Sequence, residues 1–210
     1  AHASPPCQKI SRANRATRNV GDGIALTQFA IKVLIAMSVN SWTLEQVSSP
    51  AVRELMQSMQ VHHVRIHCNK MGVPSIRARH VACSHDLHNL PECEVAPKPL
   101  LQVLHEAGMT RPLHFDKQRD GSSKKQHSRT LHDTSYTLTT RAPVLWSEVA
   151  RKEMVLTRQV CMLIQTFPLC YKLGKHARKM VANAVPPELA RRLMVYITTC
   201  SSAGLPRASH

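Results

Sequence analysis

The sequence predicts an α/β fold, and the first part of the chain carries most of the reasons. Apolar residues there recur at helical spacing in two segments and alternate in three others. Turn-forming Gly and Pro separate the segments, and the order helix, strand, helix, strand, turn, strand suggests a sheet with helices on it. A polar middle and a regular, helical tail follow.

Ser4-Pro5-Pro6-Cys7-Gln8-Lys9-Ile10-Ser11 opens the chain. The two prolines fix φ and bias the residues before them toward extended geometry, so this is a stiff loop and not helix interior. Ser11–Asn19 is polar and basic. Gly21-Asp22-Gly23 reads as a turn, with Asp22 capping a helix implied by Ile24, Leu26, Phe29, Ile31, Val33, Leu34 and Met37. Ser41–Val47 reads as a short buried strand whose oddity is Glu45. Pro50 starts a second amphipathic helix. Val61–Cys68 alternates as a strand, Gly72-Val73-Pro74 breaks the chain, and Ile76–Cys83 reads as a strand bearing Arg77 and Arg79. From Ser84 to His132, His, Pro, Lys and Ser dominate, with one helix-like piece at Pro99–Ala107 and a basic loop at Gly121–Lys125. Leu156–Phe167, Lys175–Ala184 and Pro187–Cys200 read as helices.

The formal net charge of +15, with 28 Lys and Arg against 13 Asp and Glu, points to a polyanionic partner, most simply nucleic acid. No run approaches the ~20 apolar residues of a membrane span, so no membrane partner is expected. Seven cysteines without framework spacing fit reduced thiols, and hence a cytoplasmic or nuclear setting. Cys7 sits on a rigid loop flanked by Lys9, Arg12 and Arg15. The thiolate is the reactive form of cysteine and cations favour it, which makes Cys7 a candidate nucleophile. Cys83, His85, His88 and Cys93 form a compact group with zinc-ligand chemistry, although its spacing matches no common zinc module.

Motifs on separate segments, taken in order, resemble the DNA cytosine-5 methyltransferases. Pro5-Pro6-Cys7-Gln8, with Ser11 three residues on, is similar to that family's Pro-Cys-Gln loop. Glu45-Gln46-Val47 resembles its Glu-Asn-Val strand end. Gly72-Val73-Pro74 followed by Ser75-Ile76-Arg77-Ala78-Arg79 resembles its Gln-x-Arg-x-Arg strand. Thr137-Leu138-Thr139-Thr140-Arg141 resembles the stretch that enters the C-terminal motifs. Leu156-Thr157-Arg158-Gln159, Leu163 and Gln165-Thr166-Phe167-Pro168 resemble Leu-Thr-x-Arg-Glu…Leu-Gln-x-Phe-Pro. Ala182-Asn183-Ala184-Val185-Pro186-Pro187 resembles Gly-Asn-Ala-Val-Pro. Four positions depart from the pattern: Gln46 for Asn, Ser75 for Gln, Gln159 for Glu and Ala182 for Gly.

The resemblance implies an S-adenosylmethionine-dependent, Rossmann-like methyltransferase sheet with a small irregular target-recognition region. The chain matches the latter two thirds of such an enzyme. The family's Gly-rich S-adenosylmethionine loop and acidic ribose-binding residue have no counterpart, so an N-terminally truncated sheet is expected. Residues 1–83 would be the catalytic part, 84–135 the target-recognition region, 136–203 the returning C-terminal helices and 204–210 a tail. Cys7 would add to C6 of a flipped-out cytosine, Glu45 would stabilise charge at N3, and Arg79 with Arg77 would hold the base and order the cysteine loop. A carboxyl that donates there must hold its proton, which burial would favour. Asn183 and Ala184 would touch S-adenosylmethionine. Gln8, Ser11, Arg12, Lys124 and Lys125 would bind double-stranded DNA, with His114, Lys117, Gln118 and Arg119 as further contacts, and a monomer is expected. Two alternatives stand beside this reading: a degenerate, non-catalytic DNA-binding relative, and a zinc-dependent nucleic-acid-binding protein.

Overall fold

The computed structural model describes residues 1–11, 19–109, 115–119, 128–139 and 144–202. The chain divides into two compact units, the first made of Ala1–Ile66, Ala78–Pro91 and Arg192–His210, the second of His67–Arg77 and Glu92–Arg191.

The first unit is built on a four-stranded sheet of order β1-β2-β4-β3, formed by β1 (His2–Ala3), β2 (Thr43–Val47), β3 (His62–His67) and β4 (Ala78–Cys83). β1 runs parallel to β2. β2 and β4 are antiparallel, with Leu44 opposite Ala82, Glu45 opposite Val81 and Gln46 opposite His80. The two helices are α1 (Val20–Ala36) and α2 (Pro50–Ser58). Their core joins Ile10, Ile31, Leu34, Trp42, Leu44, Val52, Met56 and Ala82. Because strand side chains alternate between faces, Leu44 and Gln46 share one face of β2, and Glu45 points to the other.

Two local expectations change. Gly21-Asp22-Gly23 is not a turn but the first turn of α1, and the cap is Asn19, whose side chain accepts from the Asp22 N–H. Asn is among the best N-caps, and its gain offsets helix-opening glycines that cost about 1 kcal/mol each. Gly23 is there for contact. A Cβ at this position would lie 2.4 Å from Cγ1 of Ile10, a side chain only 1% exposed. The glycine lets the helix start lie on the anchor of the cysteine loop. Gly23→Ala is therefore expected to destabilise the protein by about 1–2 kcal/mol despite the better helix propensity, read as a lower denaturation midpoint. Along α1, Ile31 and Leu34 are buried, whereas Leu26, Phe29, Val33 and Met37 are exposed.

His80 on β4 is buried beside His63, with ring centroids 6.5 Å apart, and its Nδ1 has no hydrogen-bond partner among the described residues. Burial lowers its pKa to about 4, and His63, Arg65 and Arg53 push in the same direction. A histidine depressed in the fold contributes stability above its unfolded value near 6.5, and loses it as pH falls through the folded value. We expect up to about 3 kcal/mol to be lost between pH 6.5 and 4. Urea denaturation at several pH values should show His80→Phe removing most of that slope.

The second unit carries a four-stranded antiparallel sheet of order β6-β5-β7-β8. Its strands are β5 (Lys117–Arg119), β6 (Ser128–Thr130), β7 (Val144–Ser147) and β8 (Lys152–Val155), and its helices are α3 (Leu100–Glu106), α4 (Arg158–Ile164) and α5 (Ala177–Asn183). Leu100, Val103, Leu104, Leu145, Leu156, Val160, Met162, Ile164 and Val181 form its core. The sequence showed only the α3 piece and a basic loop between Ser84 and His132, yet β5 and β6 lie there. Strands of three or four residues are too short to display alternation, and the fully buried member of β5 is the polar Gln118. The last helix among the described residues is α6 (Pro187–Ser202).

Candidate active site

The cysteine loop is held at both ends. The Cys7 carbonyl accepts from the Ile10 N–H at 3.0 Å and the Ser11 N–H at 2.8 Å, closing a tight turn after the prolines. Ile10 then plugs into the core, and Lys9 pairs with Asp22 of α1 at 2.6 Å. On the other side, Gln46 donates through Nε2 to the Pro5 carbonyl at 3.3 Å and to Thr27 Oγ1 at 3.1 Å. Gln46 Oε1 accepts from the Val47 N–H. One amide thus ties the loop, α1 and the end of β2 together, and it is 1% exposed. Cys7 is half-buried on this framework, with Gln8 exposed and Ser11 half-buried beside it.

Glu45, one residue before that brace, is buried at 7% exposure and forms an ion pair with Arg79, Nε to Oε1 at 2.5 Å. Arg79 is itself only 9% exposed and donates through another nitrogen to the Ala78 carbonyl at 2.8 Å. The structure thus brings Glu45 and Arg79 together and ties the Cys7 loop to the same strand end through Gln46.

Arg77 keeps different company. At 2% exposure, it donates to the Ala182 carbonyl at 2.8 Å and the Ala184 carbonyl at 3.2 Å. Gln165, at the end of α4, donates to the Val181 carbonyl at 3.2 Å. Three carbonyls around the end of α5 are therefore occupied from outside the helix. Such orphan carbonyls must be met by some donor when a helix end is enclosed. Asn183 is exposed and Ala184 half-buried on this fixed segment.

The sequence did not show what Gln46 and Gln165 hold. Gln46 looked like a departure from a motif and Gln165 like a motif letter without a role. The signal that could have marked them is a glutamine inside an otherwise apolar strand or helix, since buried amides are kept only when bonded. Of the other departures, Ser75 is fully buried and donates to the Tyr136 carbonyl, Ala182 is buried, and Gln159 is exposed.

Arg12, Lys124, Lys125 and His114 lie outside the described residues. Gln118 is not a surface contact: it donates to Ser135 Oγ at 2.9 Å and accepts from the Tyr136 N–H at 2.8 Å. Lys117 pairs with Glu148, and the Arg119 guanidinium lies 3.6 Å from the centre of the Trp146 ring. Among the described residues no three His, Cys, Asp or Glu come together as a metal-holding group. Cys83, 1% exposed, is a buried thiol whose pKa burial raises, and His88 pairs with Asp86. The zinc reading of Cys83, His85, His88 and Cys93 therefore has no geometry behind it. No described helix is long and apolar enough to cross a membrane.

No protein-family model and no curated protein matches the sequence. Solved structures do match in fold. A protein encoded within an Escherichia coli prophage, assigned as a DNA modification methyltransferase, aligns with a TM-score of 0.63 at 11% identity over 94% of this chain and 78% of that one. The Schizosaccharomyces pombe Dnmt2 methyltransferase gives 0.56 at 14% identity over 94% and 76%. The Entamoeba histolytica methyltransferase EhMeth gives 0.57 at 12% over the same shares. The chain therefore has a mixed α/β fold similar to that of these methyltransferases. The fold class expected from the sequence is the one found.

Proposed function

We propose that the protein is a DNA cytosine-5 methyltransferase, with Cys7 as its nucleophile. The observation that carries this reading is the framework around Cys7. A cysteine on a Pro-Pro loop is locked by Gln46 to a strand end whose preceding residue, Glu45, is a buried carboxyl paired with Arg79.

C5 of cytosine is a poor nucleophile until C6 is attacked. Cys7 Sγ would form a bond to C6, and the electron pair of the C5–C6 double bond would move to C5, giving it enamine character. Negative charge drawn toward N3 and O2 would be met by the Arg79 guanidinium, and by Glu45 once its carboxylate, paired with Arg79, takes up a proton that it can donate to N3. Once C5 has accepted a methyl group, the C5 proton would leave to a base, and its electron pair would restore the C5–C6 double bond as the Cys7–C6 bond breaks and the thiolate leaves. The target must leave the duplex stack for Cys7 to reach it. S-adenosylmethionine would supply the methyl group as an electrophile. Asn183, exposed on a segment fixed by Arg77 and Gln165 and followed by the small Ala184, has the fit expected of a cofactor contact. Arg77 is thereby a positioning residue for that segment. Gln8 and Ser11 would meet DNA from the cysteine loop.

The test is covalent trapping. DNA carrying 5-fluorocytosine, incubated with S-adenosylmethionine and the full-length protein, should yield an adduct that survives denaturation, because fluorine at C5 cannot leave as a proton does. Absence of any adduct together with absence of labelled methyl on ordinary DNA would leave the non-catalytic DNA-binding reading in its place.

A further inference from the structure

Between Glu153 and Glu188 the chain contains no acidic residue but five Lys or Arg. Four of them, Lys172, Lys175, Arg178 and Lys179, lie on α5 and the segment leading into it, and all four are exposed. The other cations of this unit are largely spoken for. Lys70 pairs with Glu92, Lys98 with Glu106, Lys117 with Glu148, Arg129 with Asp133 and Arg191 with Glu188. Among the described residues, none of Lys172, Lys175, Arg178 or Lys179 enters an ion pair. Exposed Tyr171, held edge-on by Phe167 at 5.6 Å between ring centroids, borders the same stretch. Inside the same α5, Ala177, Val181 and Ala182 are buried, so the helix is anchored by its apolar side and presents its cations outward.

We propose that Lys172, Lys175, Arg178 and Lys179 form a docking surface for the phosphate backbone of DNA. The proposal rests on the reading of the protein as a DNA methyltransferase, and none of the DNA contacts suggested by the motifs falls on this segment. Exposed cations outside any ion pair, two on an anchored helix and two on the segment leading into it, have the charge that a duplex backbone takes up. Contacts of this kind give affinity and register without reading sequence. The surface would therefore serve the placement of the duplex, while selection of the site falls to residues elsewhere.

The measurement is the salt dependence of DNA affinity, by fluorescence anisotropy on a labelled duplex between 50 and 200 mM salt. Each phosphate contact contributes about 0.9 to the slope of log affinity against log salt. The triple variant Lys172→Gln, Lys175→Gln, Lys179→Gln should lower that slope by about 2 to 3. The same fourfold rise in salt would then weaken the parent protein about 40-fold more than the variant. Lys98→Gln, which removes an already paired lysine, should leave the slope unchanged, and circular dichroism should show both variants folded. An unchanged slope in a folded triple variant overturns the proposal. So does a triple variant that loses binding to phosphatidylserine vesicles while its DNA slope stays the same, which would assign the surface to a membrane. If the triple variant shows the slope change but the parent transfers no methyl group, the surface stands and the catalytic reading fails.

Discussion

A Cys7→Ser protein is expected to fold normally, bind DNA and transfer no methyl group. Cys7 is half-buried, and its hydrogen bonds with Ile10 and Ser11 run through its backbone carbonyl, so exchanging sulfur for oxygen leaves the loop's anchors in place. Surface-proximal substitutions that break no such anchor usually stay within about 0.5 kcal/mol. The chemistry has no such tolerance. A serine hydroxyl at this position lacks the thiolate's nucleophilicity, and loss of a nucleophile that acts as part of a unit costs at least about 10³-fold in turnover. Three measurements separate the possibilities: denaturation midpoint, DNA affinity and labelled-methyl incorporation. If Cys7→Ser retains the covalent fluorocytosine adduct, Cys7 is not the nucleophile. If it loses the midpoint as well, the cysteine is a structural thiol.

What the sequence made legible was the part in which local pattern and motif agree. The strand around Glu45, the helix begun by Pro50, the break at Gly72 with its positive φ of 82°, and the helices near Leu156 and Pro187 all follow from spacing and turn chemistry. What stayed hidden depends on contacts made across the chain. Gly21-Asp22-Gly23 carries the composition of a turn, and only the approach of Ile10 explains why Gly23 stands in the first turn of a helix. β5 and β6 are three residues each, and Gln118, the buried centre of β5, is polar because it bonds Ser135 and Tyr136. Arg77 and Arg79 looked alike, two residues apart on one strand, yet one clasps the carbonyls of Ala182 and Ala184 and the other pairs with Glu45. Sequence spacing puts charges on a face. Which partner each finds is settled by the tertiary fold.

Removing one half of the Glu45–Arg79 pair should be the most costly single change for the fold. Both side chains are about nine-tenths buried, at 10% and 11% exposure. Arg79→Ala would leave the Glu45 carboxyl enclosed without its partner, and breaking a buried pair in this way costs about 3–5 kcal/mol. Replacing both partners is a different matter. Glu45→Leu with Arg79→Met exchanges two desolvated charges for apolar groups of similar volume, which is often neutral or stabilising. Equilibrium urea denaturation of the two single variants and the double should therefore give a strongly non-additive cycle, with the double near the parent. Single-variant losses below about 1 kcal/mol would mean that water reaches the pair and screens it. The same double variant tests function. If it is as stable as the parent and still transfers methyl groups, the pair serves the fold alone. If it is stable and inactive, the buried carboxyl and guanidinium are retained, at a cost in desolvation, for the charge that develops on the base.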